Sequence, residues 1–207
     1  MVLVTSTGAG EGKTLNSANL ALSLARQGRR VLLIDADLRQ AAAGRLLGCA
    51  PVPGLAELLS GDAQAGQAVH AVDGLGLDVL PAGASGSEDL VSARALKPLL
   101  DAIRAAYDWV VVDAPPVGAV ADALVMAPLA DGTVLLVQAE RVPQRAAAQT
   151  AERLAEAGGR VLGVVLNRAP VERYPYEYSF PYGRYGHAAA EPAAGRDESP
   201  SLADARH

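Results

Sequence analysis

"VLVTSTGAGEGKTLNSANLALSLARQ", Val2 to Gln27, decides the fold. An apolar run, Val2–Ser6, leads into a glycine-rich turn, and the turn opens into an Ala/Leu-rich stretch. Strand, glycine loop and helix in that order are the context a phosphate-binding loop requires. In "TGAGEGKT" (Thr7–Thr14), Gly8, Gly10 and Gly12 permit positive φ and keep Cβ atoms away from an anion approaching the backbone N–H groups. A helix beginning near Lys13 turns its unpaired N–H groups and positive dipole end on the phosphates. Lys13 brings a full charge to the β/γ oxygens, and Thr14 brings a hydroxyl to Mg²⁺. The eight-residue pattern usually opens on glycine, and Thr7 stands there instead. The half Gly10-x-Gly12-Lys13-Thr14 is intact. A glycine turn that merely precedes a helix does not account for strand, glycines, Lys-Thr and amphipathic helix falling in sequence.

The rest of the chain repeats this alternation. Val31–Asp35, Leu77–Pro81, Trp109–Asp113, Thr133–Gln138 and Val161–Asn167 read as further strands. Apart from Leu77–Pro81 these strands, Val2–Ser6 among them, are near-continuous apolar runs, which predicts a sheet covered on both faces. Leu15, Ala18, Leu22 and Ala25 recur at helical spacing, predicting a helix over Lys13–Gln27 that Gly28 stops. Leu55–Leu59, Leu90–Tyr107, Asp122–Leu129 and Gln144–Ala157 are further helix candidates. The fold class is therefore α/β: a mostly parallel sheet with helices on both faces, in the P-loop NTPase manner. Residues 82–88 read as a surface loop. The organisation predicted is a P-loop domain over 1–170, a tyrosine-rich tail over 171–186 and a disordered extension over 187–207, where no period survives.

Bulk composition narrows the function classes. The 207 residues carry a net charge of −5, which gives no support to nucleic-acid binding through a basic field. The lone Cys49 forms no internal disulfide and fits a reducing compartment. Met1 leads straight into Val2–Val4 without a basic leader, and Asp113, Asp122 and Asp131 interrupt the most apolar stretch, so neither a secretory signal nor a membrane span is expected. The expectation is a cytoplasmic chain.

Acidic residues gather at strand ends. "VLLIDAD" places Asp35 at the end of one strand with Asp37 two residues on, and "WVVVDAPP" places Asp113 at the end of another. In an open parallel sheet, ligands sit beyond the carboxyl ends of the strands. Carboxylates there repel a bare triphosphate and make sense with a divalent cation between them. Mg²⁺ commonly takes one or two carboxylates plus phosphate oxygens. Asp113 is the natural metal or water-shell ligand, with Thr14 and Asp35 as the other metal candidates. Asp35 and Asp37 are also placed to accept a proton from an attacking hydroxyl. The alternative for each aspartate is a helix N-cap or turn. Asn167, at the end of the last strand, carries an amide that suits an adenine edge, and a strand-ending turn is the alternative there.

Five of the six tyrosines and the one phenylalanine stand in "RYPYEYSFPYGRYG", Arg173–Gly186. A tyrosine hydroxyl has a pKa of about 10, so about 0.1% is phenolate at pH 7, and a neighbouring carboxylate can orient it and take its proton. Tyr174, Tyr176 and Tyr178 also have the spacing of an edge strand.

Together these stretches resemble the bacterial tyrosine kinases of exopolysaccharide and capsule synthesis, the BY-kinase family. The similarity runs from about Val2 to Gly186. It lies in Thr7–Thr14, in Leu32–Arg39, in Val110–Val117, in "GLAELLSG" (Gly54–Gly61), in "GVVLNR" (Gly163–Arg168) and in the tyrosine cluster. The resemblance implies ATP-dependent autophosphorylation of Tyr174, Tyr176, Tyr178, Tyr182 and Tyr185. It implies a nucleotide site at Gly8, Ala9, Gly10, Glu11, Gly12, Lys13, Thr14, Leu15, Asn167 and Arg168, with Lys13, Asp35, Asp37 and Asp113 in the catalytic role. The cofactors implied are ATP and Mg²⁺. The partners implied are a membrane adaptor of the chain-length-regulator type, which places the chain at the inner face of the membrane, and further copies that exchange tails in trans. Three features depart from the family. A ring-forming Glu/Arg helix usually precedes the first strand and is not present here. Gln40-Ala41-Ala42 replaces a basic residue and proline. Gly8 stands where the partition ATPases carry an extra lysine, against a dimeric partition-type mechanism. The competing function is a nucleotide-switched regulatory ATPase without tyrosine kinase activity.

Overall fold

A computed structural model describes residues 1–72, 74–84 and 90–170. The tyrosine cluster, the segment 187–207 and most of the loop predicted at 82–88 lie outside these residues. The described residues make up one compact unit, Met1–Pro170.

The strands are β1 (Val2–Ser6), β2 (Val31–Asp35), β3 (His70–Val72), β4 (Leu77–Leu80), β5 (Trp109–Asp113), β6 (Gly132–Gln138) and β7 (Val161–Asn167). They form one sheet in the order β3-β4-β2-β5-β1-β6-β7. All neighbours run parallel except β3, which is antiparallel to β4. The helices are α1 (Lys13–Ala25), α2 (Ala43–Leu46), α3 (Leu55–Ser60), α4 (Ala65–Ala68), α5 (Ala93–Ala106), α6 (Asp122–Met126) and α7 (Gln144–Glu156).

Side chains alternate across the sheet, as a period of two demands. Leu32, Ile34, Val110, Val112 and Leu135 face a core shared with Leu96, Leu100 and Ile103 of α5, Met126 of α6 and Leu154 of α7. Val31, Leu33, Val111 and Leu136 face the other core, against Ala18, Ala21 and Ala25 of α1. Both faces are therefore covered, and the predicted fold class holds.

Differences from the predicted elements have local causes. Helix α5 starts at Ala93 rather than Leu90 because the Ser92 hydroxyl caps it, accepting the Ala95 N–H at 3.3 Å. Helix α6 stops at Met126 and continues as a 3-10 turn over Ala127–Leu129, because Pro128 supplies no N–H to the α ladder. Strand β3 and the short helices α2 and α4 carry too few residues for a period to show. Ala82, expected on the surface, is buried and accepts the Ala56 N–H at 2.9 Å. Leu15 is 55% exposed, so Lys13, Ser17, Ala18, Ala21 and Ala25 form the buried face of α1 instead. Strand β7 departs most: Leu162, Val164, Val165 and Leu166 are 41–56% exposed, so its apolar run is not covered on both faces among the described residues. Among those residues no helix is long and apolar enough to cross a membrane.

Candidate active site

The glycine loop joins β1 to α1, and β1 lies between β5 and β6 in the interior of the sheet. Gly10 and Gly12 adopt positive φ, 77° and 97°, and Gly12 is the N-cap of α1. Positive φ is the conformation glycine supplies at low steric cost. Lys13 follows at the first helical position and is buried. The Ser6 hydroxyl donates to the Gly8 carbonyl at 2.6 Å, and the Asn16 amide donates to the Gly12 carbonyl at 2.9 Å. The Gly8 N–H donates to the buried Glu11 carboxylate, so the loop is braced across its own width. The segment after β5 straps the loop from the side. Ala114 donates to Val4, Val117 to Ser6 and Gly118 to Thr7, each through backbone N–H to carbonyl oxygen, at 2.9–3.1 Å. A Cβ at Gly118 would lie 2.5 Å from the Thr7 oxygen, which explains glycine at that position.

Asp113 ends β5 opposite Val4 of β1 and opposite Asp35 of β2. Asp35 and Asp113 sit at one carboxyl rim because β2 and β5 are parallel neighbours that end in register, and β1 runs two residues further, to Ser6, before the glycine loop. Asp113 accepts from the Ser17 hydroxyl at 3.3 Å, and the Thr14 hydroxyl stands on the same side of the carboxyl. Burial pushes its carboxyl up to about 7; the Thr14 and Ser17 hydroxyls and the Lys13 charge pull down, while Asp35 pushes up. Ser17 carries no mark in the sequence beyond its spacing, one helical turn after Thr14 on the same face of α1.

Asp35 does two things at once. Its Oδ2 accepts the N–H groups of Ala42 and Ala43 at 2.8 Å each, anchoring the start of α2, and its Oδ1 accepts the Asp37 N–H at 3.3 Å. Burial raises its pKa, and those backbone donors oppose the rise. Asp37 uses Oδ1 to accept the Gln40 N–H at 3.0 Å. The turn-and-cap role set out as the alternative for these aspartates is thus real, and it coexists with a place at the rim. Arg39 reaches Asp122 at 4.0 Å, tying this turn to the start of α6.

Asn167 comes to the rim from β7, where its amide donates to the Glu11 carbonyl at 2.8 Å. Its Oδ1 accepts the Arg168 N–H at 3.0 Å. Arg168 and Arg141 both donate to Gln138 Oε1, at 3.4 and 3.3 Å, and Arg141 Nη1 lies 3.4 Å from where a Gly10 Cβ would stand. Arg141 was not legible as a site residue, because nothing near it in sequence belongs to the loop it approaches.

The donor set fits a nucleotide triphosphate with Mg²⁺. Positive-φ glycines and a helix start offer N–H groups to phosphate, and Lys13 offers charge. Asp113, desolvated beside a second carboxylate, is the group that a divalent cation relieves, with the Thr14 hydroxyl at hand. Among the described residues no three His, Cys, Asp or Glu side chains cluster as a protein-only metal cage. Mg²⁺ needs none, since it usually completes its shell with phosphate oxygens and water.

A parallel sheet whose first strand feeds a glycine loop and helix, with an acidic strand end beside it, defines a P-loop ATPase. The family profile described as an AAA domain matches residues 1–161. The tyrosine-protein kinase YwqD of Bacillus subtilis is 37% identical over 187 residues, 89% of this chain and 77% of that protein. The tyrosine-protein kinase CpsD of Streptococcus agalactiae is 33% identical, over 90% of this chain and 81% of that one. The succinoglycan biosynthesis transport protein ExoP of Rhizobium meliloti is 34% identical over 84% of this chain. The chain spans about a quarter of the length of ExoP and of two Ralstonia relatives. Among solved structures, the VpsO kinase domain superimposes with a TM-score of 0.77 at 38% identity, over 82% of this chain and 84% of that one. The septum site-determining protein MinD of Pyrococcus horikoshii, complexed with Mg-ADP, superimposes with a TM-score of 0.71 at 27% identity, over 83% and 74%. The chain belongs to the AAA-domain family and, within it, to the bacterial tyrosine-protein kinases.

Proposed function

We propose that the protein is an ATP- and Mg²⁺-dependent tyrosine kinase that phosphorylates its own tyrosines, Tyr174, Tyr176, Tyr178, Tyr182 and Tyr185, and through them regulates polysaccharide synthesis and export. One observation carries the reading: Asp35 and Asp113 end the neighbouring strands β2 and β5, and the start of α1, which carries Lys13 and Thr14 and follows β1, is joined to Asp113 by the Ser17 hydroxyl. In this reading the Gly8–Gly12 N–H groups and Lys13 hold the phosphate chain, Thr14 and Asp113 hold Mg²⁺, and Asp35 fixes the turn that carries Asp37. Mg²⁺ neutralises charge on the β and γ oxygens when bound. The tyrosine oxygen forms a bond to the γ phosphorus as the bond from that phosphorus to the β,γ-bridging oxygen breaks, and ADP leaves. The phenolic proton passes to Asp37, whose Oδ2 is not engaged by the Gln40 N–H. The loop binds and orients; the chemistry asks little else of the protein, because the transition state is loose.

Asn167 and Arg168 stand on the nucleotide side in this proposal, and Leu15 flanks the cradle. The partner proposed is a membrane adaptor of the chain-length-regulator type at the inner face of the membrane, a reading in keeping with the transport role in ExoP's name. Tail exchange between copies in trans belongs to the same proposal. The likeness to MinD favours a second reading, a nucleotide-switched ATPase that modifies no tyrosine.

One experiment separates the two. The protein and its Lys13→Ala variant are incubated with ATP and Mg²⁺, with and without an adaptor's cytoplasmic segment, and phosphotyrosine is mapped by mass spectrometry. Phosphate on Tyr174–Tyr185 in the wild type alone supports the kinase. Nucleotide hydrolysis without phosphotyrosine under both conditions supports the switch.

A further inference from the structure

The glycine loop is held from outside by the strand at the far edge of the sheet. Asn167 closes β7, two strands away from β1 in the order β1-β6-β7. Its Nδ2 donates to the Glu11 carbonyl at 2.8 Å across 156 residues of chain. The approach is so close that a Cβ on Gly12 would stand 2.3 Å from that nitrogen. Asn167 is itself pinned: its Oδ1 accepts the Arg168 N–H at 3.0 Å, and its own carbonyl accepts the Ala139 N–H at 2.9 Å.

The consequence follows from peptide geometry. A trans peptide is planar, with C=O and N–H pointing in opposite directions. Drawing the Glu11 oxygen toward Asn167 therefore turns the Gly12 N–H the other way. One residue on, the Asn16 amide holds the Gly12 carbonyl at 2.9 Å, which orients the Lys13 N–H by the same rule. Two successive carbonyls are thus tied by side-chain amides, and two successive N–H groups are aimed together, as an anion-binding nest requires. An untethered carbonyl swinging inward would put a partial negative charge against phosphate.

We infer that Asn167 is a positioning residue for the phosphate loop, acting through the Glu11–Gly12 peptide and serving every nucleotide alike, whatever its base. The inference rests on the reading of the loop as a nucleotide site. It differs from a base-reading role for the same amide, which discriminates between purines.

The test uses the full chain with Asn167→Ala and Asn167→Asp, titrated by calorimetry with ADP·Mg²⁺, GDP·Mg²⁺ and inorganic tripolyphosphate. Affinity for all three ligands falls by a common factor of about ten, the loss expected for one loop hydrogen bond. The ADP-to-GDP ratio stays at its wild-type value. The Asp variant has the same shape and no donor toward Glu11, so it binds no better than the Ala variant. Loss confined to ADP overturns the inference in favour of base reading. Wild-type affinity in the Asp variant overturns it in favour of simple space filling. Thermal unfolding of the unliganded variants checks folding, and Asn167→Ser carries the same comparison where Asn167→Ala does not fold. A wild type that binds none of the three ligands overturns the nucleotide reading itself, and this inference with it.

Discussion

Asp35 and Asp113 are register partners on the adjacent parallel strands β2 and β5, and each carboxylate is buried at the same rim. Two neighbouring acids in a desolvated position oppose folding as anions. Such an arrangement stores electrostatic strain that a cation removes.

Asp113→Asn is therefore expected to stabilise the unliganded protein near neutral pH, because it removes a carboxyl whose ionised form burial disfavours. Linkage sets the upper bound of that gain at roughly 4 kcal/mol near pH 7, for a carboxyl raised from 3.8 to about 7. The same variant loses binding of the Mg²⁺ nucleotide. Thermal unfolding with and without ADP·Mg²⁺ reads both effects. A lower unliganded melting temperature would contradict the electrostatic argument.

Gly12 and Gly28 make a matched pair. Both have positive φ, 97° and 76°. A Cβ at Gly12 meets Asn167, while one at Gly28 meets nothing within 4 Å. Gly28→Ala costs about 1–2 kcal/mol from backbone strain and leaves nucleotide affinity unchanged. Gly12→Ala costs more than this and abolishes nucleotide binding. Chemical denaturation together with nucleotide titration distinguishes strain alone from a broken loop.

Glu57 links α3 to the chain after β4. Its carboxylate accepts the Gly54 N–H at 2.7 Å and the Ala84 N–H at 3.0 Å. Burial pushes its pKa up, but the backbone donors outweigh burial and leave it below the ordinary value. A depressed folded pKa contributes stability that is fully present above the unfolded pKa of about 4.3. That contribution is lost as pH falls through the folded pKa. Glu57→Gln is expected to flatten the acid side of the stability profile and to cost about 1 kcal/mol or less at pH 7. Denaturation midpoints from pH 7 down to pH 3 check the slope.

Leu154 of α7 is fully buried in the core that backs the sheet. Leu154→Ala is expected to cost about 2–5 kcal/mol, the price of lost burial plus the cavity left behind. The denaturation midpoint falls while its slope stays constant, because the folded and unfolded surfaces barely change. A shift below about 1 kcal/mol would mean that α7 packs loosely on the sheet.

The strands β1, β2, β5 and β7 were legible in the sequence to their end residues, since each is an apolar run bounded by a polar or turn residue. The loop Thr7–Thr14 was legible because its glycines, lysine and threonine are contiguous. Asp35 and Asp113 were legible as strand-end acids, and the parallel order brought them together. Ser17 and Arg141 were not. Their importance depends on what lies opposite, Asp113 for one and Gly10 for the other. The exposure of β7 was hidden for the same reason: an apolar run reads as buried on both faces until the strand order puts it at an edge.

Composition and spacing are local properties. The sequence alone was enough for the anion-binding loop and the acids at the strand tips, because each is written within a dozen consecutive residues, and for the α/β class, because each strand and helix in the alternation is a short run of its own. Tertiary structure decided which partners those groups have. Asp35 divides itself between the rim and the start of α2, and the Asn167 amide grips a loop at the opposite end of the domain's sequence. Hydrogen bonds pair groups by their distance in space, and strand order, which no short window of sequence encodes, sets that distance.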